Sequence, residues 1–168
     1  DDVGSSFCPT LGAYSSTDTA VINTQMKEIA DAGIDQIVVS WWGQGSEPDE
    51  ALSVIQPIAA NYGLDVAVHL EPYAARSVPM MVSDISYLEG KGIMEFYAYQ
   101  SDSSSQGMPA SSWAQVRAVF PNITMFANAS PSLAKNGSLA TFAVAGGFDG
   151  IYTYDPDNFS AKDFAQMC

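Results

Sequence analysis

The stretch Asp65–Tyr73, D-V-A-V-H-L-E-P-Y, decides the fold. Its apolar run follows a glycine and is too short for a helix before Pro72, which is typical of a buried strand in a parallel sheet. Pro72 has no N–H to donate, so it ends the strand. His69 and Glu71 lie two residues apart and therefore project from the same face of that strand. The pattern predicts two polar, ionisable side chains at the C-terminal end of a parallel strand.

Two interpretations of His69 and Glu71 are open from this stretch. The C-terminal strand ends of a (β/α) barrel carry its catalytic and binding residues, which favours an active-site carboxylate. Alternatively, Glu71 caps a helix or pairs with Arg76, and His69 is a hydrogen-bonded core histidine. The rest of the chain favours the first interpretation.

Length and charge limit the class of protein. The 168 residues predict a single domain, 1–168, with a core of its own. Nineteen acidic and six basic residues give a net charge of −13, which argues against nucleic acid as a partner. No apolar run approaches the ~20 residues that a membrane span requires, so no membrane span is predicted.

Two residue patterns indicate a secreted, extracellular glycoprotein. The two cysteines, Cys8 and Cys168, lie near opposite ends of the chain. We expect them to be paired as a disulfide, within one chain or with a neighbouring copy. Four of the six asparagines stand in N-x-[ST] sequons. The predicted glycosylation sites are Asn122, Asn128, Asn136 and Asn158.

Strands and helices alternate along the chain at intervals of ~25–30 residues, which is typical of βαβ units. The strands are predicted in Phe7–Tyr14, Gln36–Trp41, Asp65–Tyr73, Ile93–Tyr99, Asn122–Ala127 and Asp149–Tyr154. The helices are predicted to start at Ser15–Asp18, and in Ala51–Tyr62, Val78–Leu88, 111–120, Leu133–Ala145 and Ala161–Met167. Pro57 either kinks the second helix or lies at its start. We predict an α/β fold, an incomplete (β/α)8 or TIM barrel with about six βα units.

Several common site types are missing from the sequence. No G-x-G-x-x-G follows the first predicted strand, so no dinucleotide cofactor is predicted. The chain has one histidine and two distant cysteines, so no metal site is predicted either. No G-x-S-x-G elbow accompanies His69, which argues against a Ser–His–Asp triad.

Aromatic residues gather instead at the predicted strand ends. Flat aromatic faces can stack on the CH surfaces of a sugar ring, and neighbouring polar groups can bond its hydroxyls. Aromatic residues at strand ends are also ordinary core, so both interpretations are open. The candidate substrate-binding residues are Tyr14, Trp41, Trp42, His69, Tyr73, Tyr152 and Tyr154.

Four motifs span nearly the whole chain: L-G-A-Y-S-S (Leu11–Ser16), V-V-S-W-W (Val38–Trp42), V-H-L-E-P-Y (Val68–Tyr73) and G-F-D-G-I-Y-T-Y (Gly147–Tyr154). In order and approximate spacing they resemble glycoside hydrolase family 99, which contains endo-α-mannosidases and endo-α-mannanases. The resemblance implies a (β/α)8 barrel, no metal in the chemistry and retaining cleavage of an α-mannoside.

The same resemblance assigns roles to individual residues. Glu71 matches an active-site glutamate at the end of the third barrel strand and is the candidate catalytic residue. Tyr14 and one of Tyr152 or Tyr154 match tyrosines that line the sugar subsite. Trp41 or Trp42 matches a tryptophan on which a neighbouring sugar can stack.

The chain also departs from the family pattern. Its 168 residues contain no E-W-x-E-G motif, which in the family carries the catalytic pair of glutamates at the end of the last strand. Retaining hydrolysis uses two carboxyl groups ~5–5.5 Å apart, and Glu71 alone cannot fill both roles. The acidic residues Glu47, Glu50 and Asp102 lie in loops after strands but match no family motif. We therefore expect a domain truncated before the last two strands.

Two functions follow from these observations. The missing motif favours a secreted glycoprotein whose barrel has a structural, assembly or carbohydrate-binding role. The alternative is a retaining endo-α-mannosidase-type hydrolase whose missing strands are supplied by another segment or chain. Six strands would leave two open edges, so we expect self-association, including a head-to-tail filament, or a completing polypeptide. The residues expected to lack one wall of their core are Val38, Val68, Phe96 and Phe126.

Overall fold

The computed structural model describes residues 10–103, 105–128, 137–154 and 162. The helices and strands that it bounds are, in chain order, α1 (Thr19–Asp31), β1 (Gln36–Trp41), α2 (Glu47–Asn61), β2 (Asp65–Leu70), α3 (Val78–Gly90), β3 (Glu95–Ala98), α4 (Ala110–Val119), β4 (Thr124–Asn128), α5 (Leu139–Gly146) and β5 (Gly150–Tyr152).

The five strands form one sheet in the order β1-β2-β3-β4-β5, and every neighbouring pair is parallel. A helix connects each strand to the next. This order has no reversal, so it lacks the switch point at which doubly wound sheets bind dinucleotides. Sequential parallel strands with one helix after each are the order of a (β/α)8 barrel. The predicted fold class, an incomplete TIM barrel, is confirmed.

Capping residues set the helix starts. The carboxylate of Asp18 accepts hydrogen bonds from the backbone N–H groups of Ala20 and Val21, so α1 starts where the sequence predicts. Such a cap contributes about 1 kcal/mol. Helix α2 starts at Glu47 after a serine cap, and Pro57 therefore lies inside the helix and not at its start.

Three predicted elements differ from the structure or lie partly outside it. Residues 10–14 of the first predicted strand form turns and a bend, and residues 7–9 lie outside the described residues. Helix α5 starts at Leu139, whereas residues 133–136 of its prediction are not described. Of the last predicted helix only Lys162, which is helical, is described. None of the helices in the described ranges is long and apolar enough to cross a membrane.

The main core lies between the sheet and the helices. Val68 and Phe96 are fully buried there, packed in one cluster with residues of α3 such as Ile85. The expectation that these two residues lack one wall of their core is wrong, because the helices cover them. Burial of each such side chain contributes about 1.5–3 kcal/mol. Val38 is 44% exposed and Phe126 is half-buried, so these two residues lie outside the helix-covered layer.

The opposite face of the sheet, which we call the inner face, is polar and aromatic. The strand register places Ser40, His69, Tyr97, Phe126 and Gly150 in one row across all five strands. The rings of Tyr97 and Phe126 stack with centroids 4.9 Å apart. A Cβ atom on Gly150 would lie 2.8 Å from the Phe126 ring, so only glycine fits beside it.

Both ends of the sheet have an edge without a partner strand in the described part of the chain, since β1 pairs with β2 alone and β5 with β4 alone. The edge expected on the last predicted strand falls on β5. The other edge falls on β1, because residues 10–14 are not a strand. Self-association stays a prediction.

Candidate functional site

Glu71 lies directly after β2 and continues its ladder, because its backbone N–H donates to the carbonyl of Trp41 at 3.0 Å. The residue is 8% exposed. Its Oε1 atom accepts a hydrogen bond from the Ser40 hydroxyl at 2.6 Å and lies 2.7 Å from Nδ1 of His69. The two-residue spacing that the sequence shows therefore brings the carboxylate and the imidazole into direct contact.

The second ring nitrogen of His69 extends this network to the far side of the described sheet. Its Nε2 atom lies 2.8 Å from the hydroxyl of Tyr152 at the end of β5. Burial, and next the charge of Glu71, raise the pKa of Tyr152. A continuous chain of hydrogen bonds thus runs from Ser40 on β1 through Glu71 and His69 to Tyr152.

Tyrosines surround the imidazole. The ring of His69 lies 5.2 Å from that of Tyr99, 5.7 Å from that of Tyr152 and 5.4 Å from that of Tyr154. On the same inner face, burial and a hydrogen bond to Glu95 raise the pKa of Tyr97 to about 12. The hydroxyls of Tyr97 and Tyr152 therefore stay protonated and provide neutral hydrogen-bonding groups.

Two cavities open onto this cluster. One, of about 320 Å³, is lined by Val38, Ser40, His69, Glu71, Tyr97, Tyr152 and Tyr154. The other, of about 430 Å³, is lined by Ser40, Trp42, Glu71, Pro72, Tyr99, Gln100, Gln106 and Tyr154. Since Ser40, Glu71 and Tyr154 line both, the two cavities form one cleft, and Glu71 lies where they meet. We call it the Glu71 cleft.

Arg76 joins the ends of two strands beside the cleft. The residue is 8% exposed, and its guanidinium donates to the carbonyls of Leu70 at 2.7 Å and Tyr99 at 2.5 Å, at the ends of β2 and β3. Burial lowers the pKa of Arg76 to about 10, and nearby groups that include Glu71 oppose the shift. The alternative of a direct Arg76–Glu71 pair is wrong: the arginine binds backbone carbonyls, and its charge acts on Glu71 from a distance.

The two tryptophans of the W-W pair lie on opposite sides of the sheet. Trp41 is fully buried in the core, and its indole N–H donates to Asp49 at 2.9 Å. It has no surface to offer a sugar, so its prediction as a binding residue is corrected. Trp42 is 47% exposed and lines the Glu71 cleft, which leaves Trp42 as the stacking candidate.

Two predicted tyrosines lie elsewhere. The hydroxyl of Tyr73 donates to Asp84 of α3, and its ring packs edge-on against Trp41 at 5.9 Å. Tyr73 therefore belongs to the helix side of the sheet and its prediction as a substrate-binding residue is corrected. The hydroxyl of Tyr14 accepts from Gln25 of α1 at 3.0 Å, and the residue does not line the Glu71 cleft as described.

No further carboxylate joins Glu71 in the lining of the cleft formed by the described residues. Glu47 and Glu50 lie in the first turn of α2 and line a separate cavity of about 610 Å³. Asp102 is partly buried in the loop after β3. Glu71, with Ser40 and His69 at its Oε1 atom, can accept a hydrogen bond from a ligand, whereas acid–base hydrolysis requires a second carboxyl group.

The predicted glycosylation sites differ in exposure. Asn122 is exposed just before β4, as a glycan acceptor should be. Asn128 is 7% exposed, and its side-chain oxygen accepts from the backbone N–H of Gln100. The folded chain does not present Asn128 at its surface, so this prediction is corrected. Asn136 and Asn158 lie outside the described residues, as do Cys8 and Cys168.

Two residues of the site, Ser40 and Arg76, are not among the sequence-predicted binding residues. Ser40 stands one residue before the W-W pair, and the alternation of a strand puts it on the face opposite Trp41. The sequence suggests Arg76 only as a partner for Glu71. Its burial comes from the fold and cannot be read from the residue type.

Comparisons with known proteins identify the family of the chain. The sequence model of glycosyl hydrolase family 99 matches residues 1–166. A glycoprotein endo-alpha-1,2-mannosidase from Mus musculus is 31% identical over 186 residues, which cover 94% of this chain and 39% of the mouse protein. A glycoprotein endo-alpha-1,2-mannosidase-like protein from Homo sapiens is also 31% identical, with 94% of this chain and 39% of its own length covered.

A solved structure supports the fold. The family 99 endo-alpha-mannosidase from Bacteroides thetaiotaomicron superposes with a TM-score of 0.71 at 23% identity, over 88% of this chain and 47% of that protein. This chain spans about two fifths of the length of the mouse and human relatives. Because the family model extends over nearly all of its residues, the chain belongs to glycosyl hydrolase family 99.

Proposed function

We propose that this chain forms the sugar-binding side of the active site of a retaining endo-α-mannosidase-type glycoside hydrolase. The observation that carries the proposal is the Glu71 cleft, in which one carboxyl group lies among tyrosines and Trp42. The remaining carboxyl groups of the reaction are supplied by barrel strands from another segment or chain.

The chemistry of the cleft suits a pyranose ring. Trp42 and Tyr154 are 47% and 59% exposed, so both rings have free faces for the CH surfaces of a sugar. Glu71 and Tyr152 supply an acceptor and a hydroxyl within the same cleft. Ligand sites of this kind combine apolar walls with a few fixed polar groups that set orientation.

The family supports α-mannosides as the substrate class. The mouse and human relatives are named for endo-alpha-1,2-mannosidase activity, and the family model matches almost the whole chain. This support favours the hydrolase over the non-catalytic role that the missing E-W-x-E-G motif suggested. Both hypotheses predict sugar binding in the Glu71 cleft, so binding and turnover must be measured separately.

Binding is tested by titrating the chain with α-1,2-linked mannobiose in a calorimeter, with cellobiose as the control sugar. We expect mannobiose to bind and cellobiose not to bind. Glu71→Gln removes a charge-assisted hydrogen bond worth about 1.5–3 kcal/mol, so it should weaken binding by about 10- to 100-fold. Glu28→Gln, the same change at an exposed position on α1, should leave binding unchanged.

Turnover is tested on the natural protein with an α-mannoside oligosaccharide, and the configuration of the released sugar is followed by NMR. Endo-cleavage with retained α configuration supports the hydrolase. Mannobiose binding without turnover would instead support the non-catalytic, carbohydrate-binding alternative. Absence of mannobiose binding, or equal binding of cellobiose, would contradict the proposed substrate class.

A further inference from the structure

His69 is the only histidine of the chain, and hydrogen-bond partners lie at both of its ring nitrogens. Nδ1 is 2.7 Å from Oε1 of Glu71, and Nε2 is 2.8 Å from the hydroxyl of Tyr152. A neutral imidazole has one nitrogen that donates and one that accepts. The direction of one hydrogen bond therefore dictates the direction of the other.

The surroundings of Glu71 determine which nitrogen donates. The Ser40 hydroxyl already donates to Oε1 at 2.6 Å, and two donors on one oxygen are what an ionised, acceptor-only carboxylate provides. The buried guanidinium of Arg76 interacts electrostatically with Glu71. With an ionised Glu71, His69 carries its proton on Nδ1 and donates it to Glu71, which leaves a lone pair on Nε2.

The lone pair on Nε2 sets the direction of the hydrogen bond between His69 and the hydroxyl of Tyr152. Tyr152 donates its only hydroxyl proton to Nε2, because this nitrogen can only accept. The oxygen then keeps a lone pair for other donors, and Tyr152 lines the Glu71 cleft. An unconstrained tyrosine hydroxyl can rotate and serve as donor or acceptor, whereas this one has a single polarity.

We propose that His69 is a positioning residue. It accepts the hydroxyl proton of Tyr152 in a hydrogen bond, so toward the Glu71 cleft the Tyr152 oxygen can only accept a hydrogen bond, from a hydroxyl group of the sugar. The ligand part of this inference rests on the proposed function. The tautomer part concerns the free protein and is tested without any sugar. The two can therefore fail separately.

The same geometry makes the direction of the His69–Tyr152 hydrogen bond depend on pH. Protonated His69 donates from both nitrogens, so Tyr152 must accept from Nε2 and turn its own proton toward the cleft. The titratable and charged groups that face this pair are Glu71 and Arg76 after β2, Tyr97 and Tyr99 on and after β3, and Tyr154 after β5. These neighbours leave the reversal in place, because in the described part of the chain the hydrogen bond of the Tyr152 hydroxyl goes to His69.

The first experiment labels the chain with [¹⁵N]histidine and records two-bond ¹H–¹⁵N correlations as a function of pH. A single histidine gives one unambiguous pattern. We expect the Nδ1–H tautomer at neutral pH, and in Tyr152→Phe a shift of the Nε2 resonance without a change of tautomer. An Nε2–H tautomer would overturn the proposal, because His69 would then donate to Tyr152.

The second experiment separates the two contacts of His69. The amide of His69→Asn mimics Nδ1 and can still donate to Glu71, whereas the amide of His69→Gln mimics Nε2 and can still accept from Tyr152. Mannobiose affinity should fall about tenfold in His69→Asn and in Tyr152→Phe, the effect of one hydrogen bond. It should fall less in His69→Gln and not at all in Tyr62→Phe, whose hydroxyl bonds Asn23 far from the cleft.

Thermal unfolding of each variant shows whether it is folded. Equal losses in folded His69→Asn and His69→Gln would show a general packing role and overturn the positioning role. The affinity of the unmutated chain should also fall as the pH falls through the pKa that the NMR titration gives for His69. Tyr152→Phe should show a smaller change, because only the part carried by Glu71 remains. An equal pH dependence in the unmutated chain and in Tyr152→Phe would also overturn the proposal. If the unmutated chain binds no mannobiose, the proposed function fails, and the tautomer still decides the direction of the His69–Tyr152 bond.

Discussion

Asp49→Asn should destabilise the fold far more than its conservative chemistry suggests. Asp49 is 4% exposed, and both carboxylate oxygens accept hydrogen bonds: Oδ1 from Trp41 at 2.9 Å, Oδ2 from Gly45 N–H at 2.9 Å and from Tyr87 at 2.8 Å. Burial opposes ionisation of Asp49, but these hydrogen bonds and Lys91 outweigh it and lower its pKa. The residue thereby ties the end of β1 to the loop before α2 and to α3.

The magnitude follows from the donors. An asparagine has one acceptor oxygen, so in either orientation its NH₂ group faces a group that donates to Asp49. If the oxygen remains on Trp41, the N–H of Gly45 faces another donor and loses its partner, which costs about 1–3 kcal/mol. The bonds that remain change from charge-assisted to neutral and lose about 1 kcal/mol each. We expect a net loss of about 3 kcal/mol, a large share of the ~5–15 kcal/mol typical of a domain.

Urea unfolding of Asp49→Asn and of the unmutated chain at pH 7 measures this loss. Asp31→Asn is the matched control, because Asp31 makes an exposed ion pair with Lys27, and such pairs contribute about 0–1 kcal/mol. The folded pKa of Asp49 is lowered, so its stabilisation is complete above the unfolded value of ~3.9 and is lost as the pH falls through the folded value. The difference in the free energy of unfolding between Asp49→Asn and the unmutated chain should therefore become smaller below about pH 4. A loss at pH 7 no larger than that of Asp31→Asn would refute the reasoning.

Three further predictions concern the chain as a whole. The 168-residue chain alone should not hydrolyse an activated α-mannoside, because Glu71 cannot be both acid and nucleophile; turnover that Glu71→Gln abolishes would contradict this. Cys8 and Cys168 should be oxidised, within one chain or between copies, and alkylation of free thiols without reductant would show otherwise. The edges of β1 and β5, which have no partner strand in the described part of the chain, should make the chain associate, with itself or with a completing polypeptide, since unpaired strand edges bind other strands; a stable, compact monomer in mass photometry would refute this.

Much of the fold could be predicted from local patterns. The β-branched run of β1 and the glycine-to-proline bounds of β2 are local features, because backbone preferences and a missing N–H act within a few residues. Asp18 likewise marks the start of α1 through bonds to its own neighbours. The parallel order of the strands follows from the helices between them.

The site could be predicted only in part. The period of a strand shows that Trp41 and Trp42 point to opposite faces, but it does not say which face the helices cover. Tertiary packing decided that Trp41 is core and Trp42 lines the cleft. In the same way, Asn128 has the sequence of a surface acceptor, and the fold buried it against Gln100.

From its own residues, the sequence determined that His69 and Glu71 share a face, because two residues along a strand always do. It could not determine that Ser40 and Tyr152 would complete their network, since these residues come from strands 31 residues before Glu71 and 83 residues after His69. Only the register of the parallel sheet brings the four side chains together. Hydrogen-bond geometry across strands depends on that register, and one residue of slip would turn Ser40 to the helix side.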